Sequence, residues 1–217
     1  MGTTIRTVTA IALALPLLAS APAASAARPD VFREKGPYAY TWFEGAETSK
    51  KVPGNYAAGD LEFRGNTVNG FLLLLQCDEG ETPEGDEETG DNACDFVDSY
   101  LVRADDLVVV DRKGRTAVRT YSGTVDLYAE EGEEGEEGDA PVVSDVPLEL
   151  TFTSTGAPAR STFSYTVRDP GAGYWVKVRE TQVISPASVD GTFWTLEIDG
   201  ADGGVGRYAV RSMERID

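Results

Sequence analysis

The chain has 217 residues with 37 acids, 19 bases and no histidine, so its formal net charge is −18. This charge argues against nucleic acids and anionic membrane surfaces as partners, because proteins recognise both through basic surfaces. The absence of histidine excludes serine–histidine and cysteine–histidine nucleophile systems, and it also excludes zinc or copper sites that rely on imidazole.

Residues 1–27 have the features of an export signal. Arg6 supplies an early positive charge, an apolar stretch covers 8–19, and the small residues at 24–26 match a cleavage site. The apolar stretch is shorter than the roughly 20 residues that a membrane-spanning helix needs. We therefore expect a secreted, extracellular protein that is not held in a membrane, with a single all-β domain over 28–217.

Cys77 and Cys94 are the only cysteines of the chain. In an oxidising compartment an isolated pair is expected to form a disulfide, and closing a loop of about 15 residues contributes roughly 3 kcal/mol. A reactive thiol is the alternative, but it needs a neighbouring base of the kind that histidine usually supplies. We therefore predict a Cys77–Cys94 disulfide.

The insert 77–94 encloses eight carboxylates and no base. Calcium takes about six to eight oxygen ligands, chiefly carboxylates and carbonyls, so this loop is a candidate calcium site. The spacing is not that of an EF-hand, and a solvated loop that ions screen diffusely is the alternative. We expect no other cofactor. The candidate calcium ligands are Asp86, Glu87, Glu88 and Asp91.

A second acidic insert, 129–141, repeats the triplet Glu-Glu-Gly three times. Such a segment repels itself and buries no apolar surface, so we expect a flexible connector without secondary structure.

Short runs of Val, Thr, Tyr, Phe and Trp alternate with turn residues, which predicts an all-β antiparallel sandwich or flattened barrel. A closed barrel with a ligand cavity stays open as an alternative. The apolar run 71–75 is expected to be a central strand covered on both faces. Eleven candidate strands cover 38–44, 60–65, 70–76, 95–103, 107–111, 115–128, 146–154, 160–168, 173–184, 191–198 and 206–213.

The C-terminal half is predicted to be a meander, in which the turns 154–158 and 169–173 reverse the chain between neighbouring strands. Alternation along these strands predicts one buried face and one polar face. Trp42 and Trp194 are also predicted to lie in the core. The residues expected to point inwards are Leu148, Leu150, Phe152, Phe163, Tyr165, Val167, Tyr174, Val176 and Val178.

On this pattern Trp175 faces outwards beside Lys177 and Arg179, which makes the three a candidate ligand-binding set. An exposed indole can stack on a sugar ring or cover a cation, and packing of Trp175 under a loop is the alternative.

A basic cluster surrounds the predicted hairpin at 111–114. It is expected either to pair with the acidic Cys77–Cys94 loop or to consist of ordinary solvated turn residues. Its members are Arg112, Lys113, Arg115 and Arg119.

The export signal, the run SGTVDLY at 122–128 and the predicted meander at 148–180 resemble small exported β-proteins of unknown function from actinobacteria. The resemblance implies an all-β fold and an exported location, and it brings no activity, cofactor or catalytic residue.

We therefore predict a monomeric, non-catalytic binding or surface-interaction module, whose partner is an extracellular molecule or a glycan. A calcium-stabilised carbohydrate-binding module is the alternative. A carboxylate-based glycosidase is a further one, because that chemistry needs only Asp and Glu.

Overall fold

A computed structural model of the chain describes residues 33–44, 56–77, 94–112, 116–129, 140–168 and 175–216. The regular structure in these ranges is antiparallel β, and they contain no helix suited to crossing a membrane. The strands are β1 (Arg33–Glu44), β2 (Tyr56–Arg64), β3 (Thr67–Cys77), β4 (Cys94–Ala104), β5 (Val108–Arg112), β6 (Val118–Ala129), β7 (Val143–Ser154), β8 (Ala159–Arg168), β9 (Trp175–Phe193) and β10 (Leu196–Ile216).

The strand pairings close into a ring. From β10 through β1, β2, β3, β4, β6 and β7 to β9, each strand is hydrogen-bonded to the next, and β9 pairs back onto β10. Strand β5 is attached to β6, and β8 is attached to β9. The prediction of an all-β antiparallel sandwich or flattened barrel is therefore confirmed. Each ring strand is therefore paired on both sides over at least part of its length.

One face of each ring strand fills the interior. At its centre Phe63, Tyr121 and Phe152 are fully buried, with ring centroids 4.3 to 5.8 Å apart. The predicted inward residues Leu148 and Leu150 are buried as well. Large aliphatic side chains complete the core. Among them are Leu61, Val68, Leu72, Leu74, Val102, Leu127 and Val189.

The apolar run 71–75 lies in β3, between β2 and β4. Leu72 and Leu74 are fully buried, whereas Phe71, Leu73 and Leu75 on the other face are only half-buried. The strand is central, as predicted, but its outer face is only partly buried.

Cys77 and Cys94 form the predicted disulfide, with their Cα atoms 3.9 Å apart. The two residues are also cross-strand partners at the end of the β3–β4 pair. The loop between them lies outside the described residues.

The predicted strand 191–198 is wrong, because a tight turn divides it. Phe193 pairs with Leu196, and Trp194 adopts a positive φ of 59° between them. The Trp194 N–H donates to the Pro147 carbonyl at 2.8 Å. No glycine or asparagine marks this turn, so the β-forming residues around it conceal it in the sequence. The two halves belong to β9 and β10.

The predicted turn at 154–158 is also wrong. Ser154 pairs with Ala187 and Ala159 with Ile184, so β7 and β8 lie end to end along β9 instead of side by side. The break falls opposite Pro186, which has no N–H to donate and accepts a hydrogen bond from Thr155 N at 2.8 Å. The β8–β9 hairpin, by contrast, is present as predicted.

Three aromatic residues expected in the core are exposed. Phe163 is 52% and Tyr165 47% exposed, because β8 is the outermost strand of its sheet and nothing described covers it. Trp42 is 45% exposed, because its neighbours Thr41 and Phe43 take the interior positions of β1. The side chains of Val167 and Tyr174 lie outside the described residues.

Trp194 packs half-buried against the core, at the turn between β9 and β10. Val178 is buried and Val176 half-buried, as predicted, but both lie on the face of β9 opposite to Val189 and Arg179 and therefore outside the ring interior.

Replacing Phe152 by Ala should lower the free energy of unfolding by about 3 to 5 kcal/mol, because the fully buried ring leaves a cavity between Phe63 and Tyr121. Urea denaturation measures the change. The matched control is Phe163→Ala on the exposed face of β8, which should cost less than about 1 kcal/mol. Equal losses in the two variants would contradict the assignment of the core.

The stability of the protein should fall above about pH 10. Burial raises the pKa of Tyr121 to about 12. The unfolded chain therefore ionises first, near pH 10, and stability that is complete below that pH is lost as the pH rises towards 12. For Tyr121 the loss should reach about 2 kcal/mol.

The variant Tyr121→Phe separates this effect from packing. The Tyr121 hydroxyl is buried without a hydrogen-bond acceptor or donor among the described residues, and the nearby Arg119 directs its N–H groups to Asp111 and two carbonyls. The variant should therefore keep its stability at pH 8 and show a smaller alkaline loss. Urea denaturation across the pH range decides the point, and an unchanged pH dependence would refute the assignment.

Candidate ligand-binding face

The acidic inserts leave from one end of the ring. Strands β3 and β6 both pair antiparallel with β4, so they run in the same direction, and Cys77 and Ala129 are their last residues. The segments 78–93 and 130–139 that follow hold eight and seven carboxylates and no base, which is 15 of the 18 net negative charges. The rest of the chain is therefore close to neutral.

At the opposite end β1, β9 and β10 continue beyond the ring, and β8 lies beside β9. Arg33 pairs with Arg211, and Arg211 pairs with Arg179. Directly paired residues of an antiparallel sheet project from the same face. Three arginines from β1, β10 and β9 therefore form a row across the sheet.

Further rows repeat this pattern towards the ring. Arg207 and Arg160 flank Val183 from its two neighbouring strands. Lys35 lies two residues from Arg33, on the same face. Val205 and Ala187 lie on the same face of β10 and β9 as these basic residues, and both are buried in the ring. The basic residues therefore continue the core-facing side of the strands beyond the ring. We call this surface the basic face. It comprises Arg33, Lys35, Arg119, Arg160, Lys177, Arg179, Arg207 and Arg211.

Three adjoining recesses make the basic face concave. One of about 530 Å³ is lined by Arg33, Arg179 and Arg211. It shares Lys35 with a second recess of about 530 Å³, which in turn shares Arg207 with a third of about 390 Å³. The recesses therefore form one open trough across the sheet.

The row of arginines is unfavourable for folding alone, because like charges placed directly opposite each other on neighbouring strands repel. Among the described residues, Asp111 is the only carboxylate that the strand pairing places on this face. Glu34 accepts a hydrogen bond from the Tyr208 hydroxyl and also lines the recess of Arg33. Bases therefore outnumber carboxylates among the described residues that line the trough.

Arg119 has a structural role in this face. Its Nε and Nη2 donate to the two carboxylate oxygens of Asp111 at 2.5 and 3.1 Å. Its Nη1 donates to the carbonyls of Tyr38 at 3.0 Å and Gly206 at 2.6 Å. The side chain therefore ties β6 to β1 and β10 across the end of the ring and is not free for a ligand.

The hypothesis that the basic cluster pairs with the acidic loop is wrong for Arg119, whose partner is Asp111. Arg112 is exposed and lines the third recess of the trough. Lys113 and Arg115 lie outside the described residues.

The other face of the same strands carries a linked network of ion pairs and aromatic rings. Arg64 lies between the rings of Tyr38 and Tyr208, 5.8 and 5.7 Å from their centroids. It also forms ion pairs with Glu62 at 2.6 Å and with the buried Glu180 at 3.2 Å. Burial raises the pKa of both tyrosines to about 12, so both carry their protons at neutral pH. The network stiffens the sheet that bears the basic face.

Two predicted ligand-binding residues lie on the basic face. Lys177 and Arg179 are exposed there, and Arg179 lines a recess. The side chain of Trp175 lies outside the described residues, so its stacking role stays a prediction.

The four candidate calcium ligands at 86–91 lie outside the described residues too. The described ranges contain no group of three His, Cys, Asp or Glu side chains placed to hold a metal ion. The calcium site stays a prediction.

Sequence reasoning missed the remaining basic residues because β1 is far from β9 and β10 in the chain and because the register of the long β9–β10 pair is not evident from local patterns. A local signal does exist, since basic residues recur with the two-residue period of a strand at Arg33 and Lys35 and at Lys177 and Arg179. Arg207 and Arg211 fit the same period.

No protein-family model, no curated protein and no solved structure matches this chain. The function has to be inferred from the geometry alone.

Removing the Asp111 carboxylate should destabilise the fold. Arg119 is only 7% exposed, so Asp111→Asn leaves a buried guanidinium with two carbonyl acceptors and no counter-charge. Because Asp111 itself is half-exposed, we expect a loss of about 1 to 2 kcal/mol in urea denaturation, below the usual cost of breaking a buried pair. The control Asp106→Asn removes an exposed carboxylate nearby and should change little; the opposite ranking would refute the role of Asp111.

Proposed function

We propose that the protein is a secreted, non-catalytic binding module whose ligand is an anionic polysaccharide held on the basic face. One observation carries the proposal. Three arginines are aligned across β1, β10 and β9, with further bases around them, in a chain whose net charge is −18. Such an arrangement costs folding energy, and an anionic ligand offsets that cost.

The extent of the trough favours a polymer over a single small anion. The face spans β8, β9, β10 and β1, which at about 4.8 Å between strands is roughly 15 Å. One carboxylate or sulfate would use a single pair of arginines and leave the other rows unoccupied. Successive anionic groups of a chain would use several rows at once.

The residues between the bases favour a sugar polymer over a nucleic acid. Thr162 and Thr181 form a cross-strand pair on this face, with their hydroxyls 3.4 Å apart, and Ser164 pairs with Arg179. Hydroxyl groups beside guanidinium groups suit a ligand that carries both hydroxyls and anions. Single-stranded nucleic acids are typically held by aromatic stacking, and the described side chains of this face include no aromatic residue.

The distribution of charge supports an exported binding protein. The acidic inserts begin at the end of the ring opposite to the trough. Their charge promotes solubility.

We also propose that the basic face binds its ligand without cleaving it. A carboxylate-based glycosidase needs two carboxyl groups on either side of the scissile bond. Asp111 is the one carboxylate that the described strands place on the basic face, and it is neutralised by Arg119.

Binding to polygalacturonate should decrease at least about tenfold in the double variant Arg179→Thr/Arg211→Thr, because two adjacent rows lose a charge-assisted contact. Titration calorimetry at low salt measures the affinity. Dextran, which is uncharged, should not bind, and the affinity for polygalacturonate should fall as NaCl is raised.

The control variant is Arg103→Thr, which removes an exposed arginine that stacks on Tyr128, 5.1 Å from its ring centroid, away from the basic face. It should bind like the wild type. The double variant should also be slightly more stable than the wild type at low salt, since a like-charge row is relieved. Unchanged binding in the double variant, or equal binding of dextran, would refute the proposal.

A further inference from the structure

The outer face of β1 displays two large aromatic side chains. Tyr40 is 42% and Trp42 45% exposed, while Thr41 and Phe43 between and beyond them are buried in the interior. Strand β1 is paired on both sides, with β2 and β10, so the exposure is not that of a sheet edge. Two neighbouring aromatic rings therefore lie on the surface of the closed ring.

Both rings are held in place by their surroundings. Tyr40 lies against Gly204, where a Cβ atom would come within 2.4 Å of the tyrosine ring. The Trp42 ring meets Phe71 edge-on at 6.0 Å, and the Tyr40 ring is 6.3 Å from that of Tyr38. A surface fixed before binding loses little side-chain entropy when a ligand covers it.

Carboxylates flank the indole on both sides. Asp60 of β2 and Asp202 of β10 are the cross-strand partners of Trp42, and both are exposed. Neither forms an ion pair with a described residue. Asp60 has a raised pKa, first because of its partial burial and then because of the nearby Glu62, so a cation beside it would be favoured.

We infer that Tyr40, Trp42, Asp60 and Asp202 form a second binding site, for a glycan that carries free amino groups. The face of an indole attracts cations as well as the apolar face of a sugar ring, and the two carboxylates provide counter-charges for ammonium groups. A neutral glycan would use the rings and leave both carboxylates unused. A patch of basic protein would use the carboxylates but gain less from a flat aromatic surface.

This site is independent of the proposed function. The basic face continues the core-facing side of the strands, whereas Tyr40 and Trp42 project from the other side of the sheet. The two sites also have opposite electrostatic character, so a ligand for one is repelled by the other.

The test compares three soluble hexasaccharides with the same β-1,4 linkage: glucosamine, N-acetylglucosamine and glucose. Titration calorimetry at about pH 6 keeps most amino groups of the glucosamine oligomer protonated. The glucosamine oligomer should bind at least about tenfold more tightly than the other two. Equal affinity for all three would overturn the role of the carboxylates, and no binding of the glucosamine oligomer would overturn the site.

Variants locate the interaction. Trp42→Ala and the double variant Asp60→Asn/Asp202→Asn should each weaken binding of the glucosamine oligomer at least about tenfold. Trp42→Phe should retain most of the affinity, because it keeps an aromatic ring at this position. That result would indicate that Trp42→Ala acts on the site and not on the fold. Phe96→Ala removes another exposed aromatic side chain, 63% exposed, and should bind like the wild type.

The double variant Arg179→Thr/Arg211→Thr should bind the glucosamine oligomer normally. A loss in that variant, or normal binding in Trp42→Ala, would overturn the assignment to the outer face of β1. The result with polygalacturonate does not bear on it, so the two proposals can fail separately.

Discussion

The structure depends on the closure of one hydrogen-bonded ladder, in which β10 pairs with β1 on one side and with β9 on the other. Closure makes the alternation of side chains strict, because every ring strand must turn one face to a filled interior. A shift of β2 or β7 by one residue would move Phe63 or Phe152 from the core to solvent. The same strictness determines which residues are displayed outside.

Strands β9 and β10 are much longer than the ring requires, and their excess length creates the trough. Inside the ring their inward positions are apolar, as at Val189 and Val205, since they meet other strands. Beyond the ring the inward positions meet solvent and become basic, as at Arg179 and Arg207. Arg119 lies where the closed ring meets the trough. Its guanidinium is buried there, and Asp111 provides its counter-charge.

Local patterns in the sequence predicted most strands, the disulfide and the inward residues of β7, because alternation and cysteine count act over short distances. They concealed the turn at Trp194, which lacks the usual turn residues, and the end-to-end arrangement of β7 and β8, which depends on pairing with β9. For the basic face, alternation located Lys177 and Arg179. It did not reveal Arg33 and Arg211 as their neighbours, because the register between distant strands is a property of the closed ladder.

One face of the extended sheet carries the basic residues, and the other carries the network that links the strands. Three arginines in a row repel each other, and this repulsion favours separation of the strands that carry them. A flexible sheet would relieve the repulsion by twisting those strands apart. On the opposite face Arg64 joins Glu62 and Glu180 and is enclosed by Tyr38 and Tyr208, so β1, β2, β9 and β10 are cross-linked between the row and the ring. The repulsion is therefore retained in the free protein, and the proposed anionic ligand would spend less of its binding energy on ordering the site.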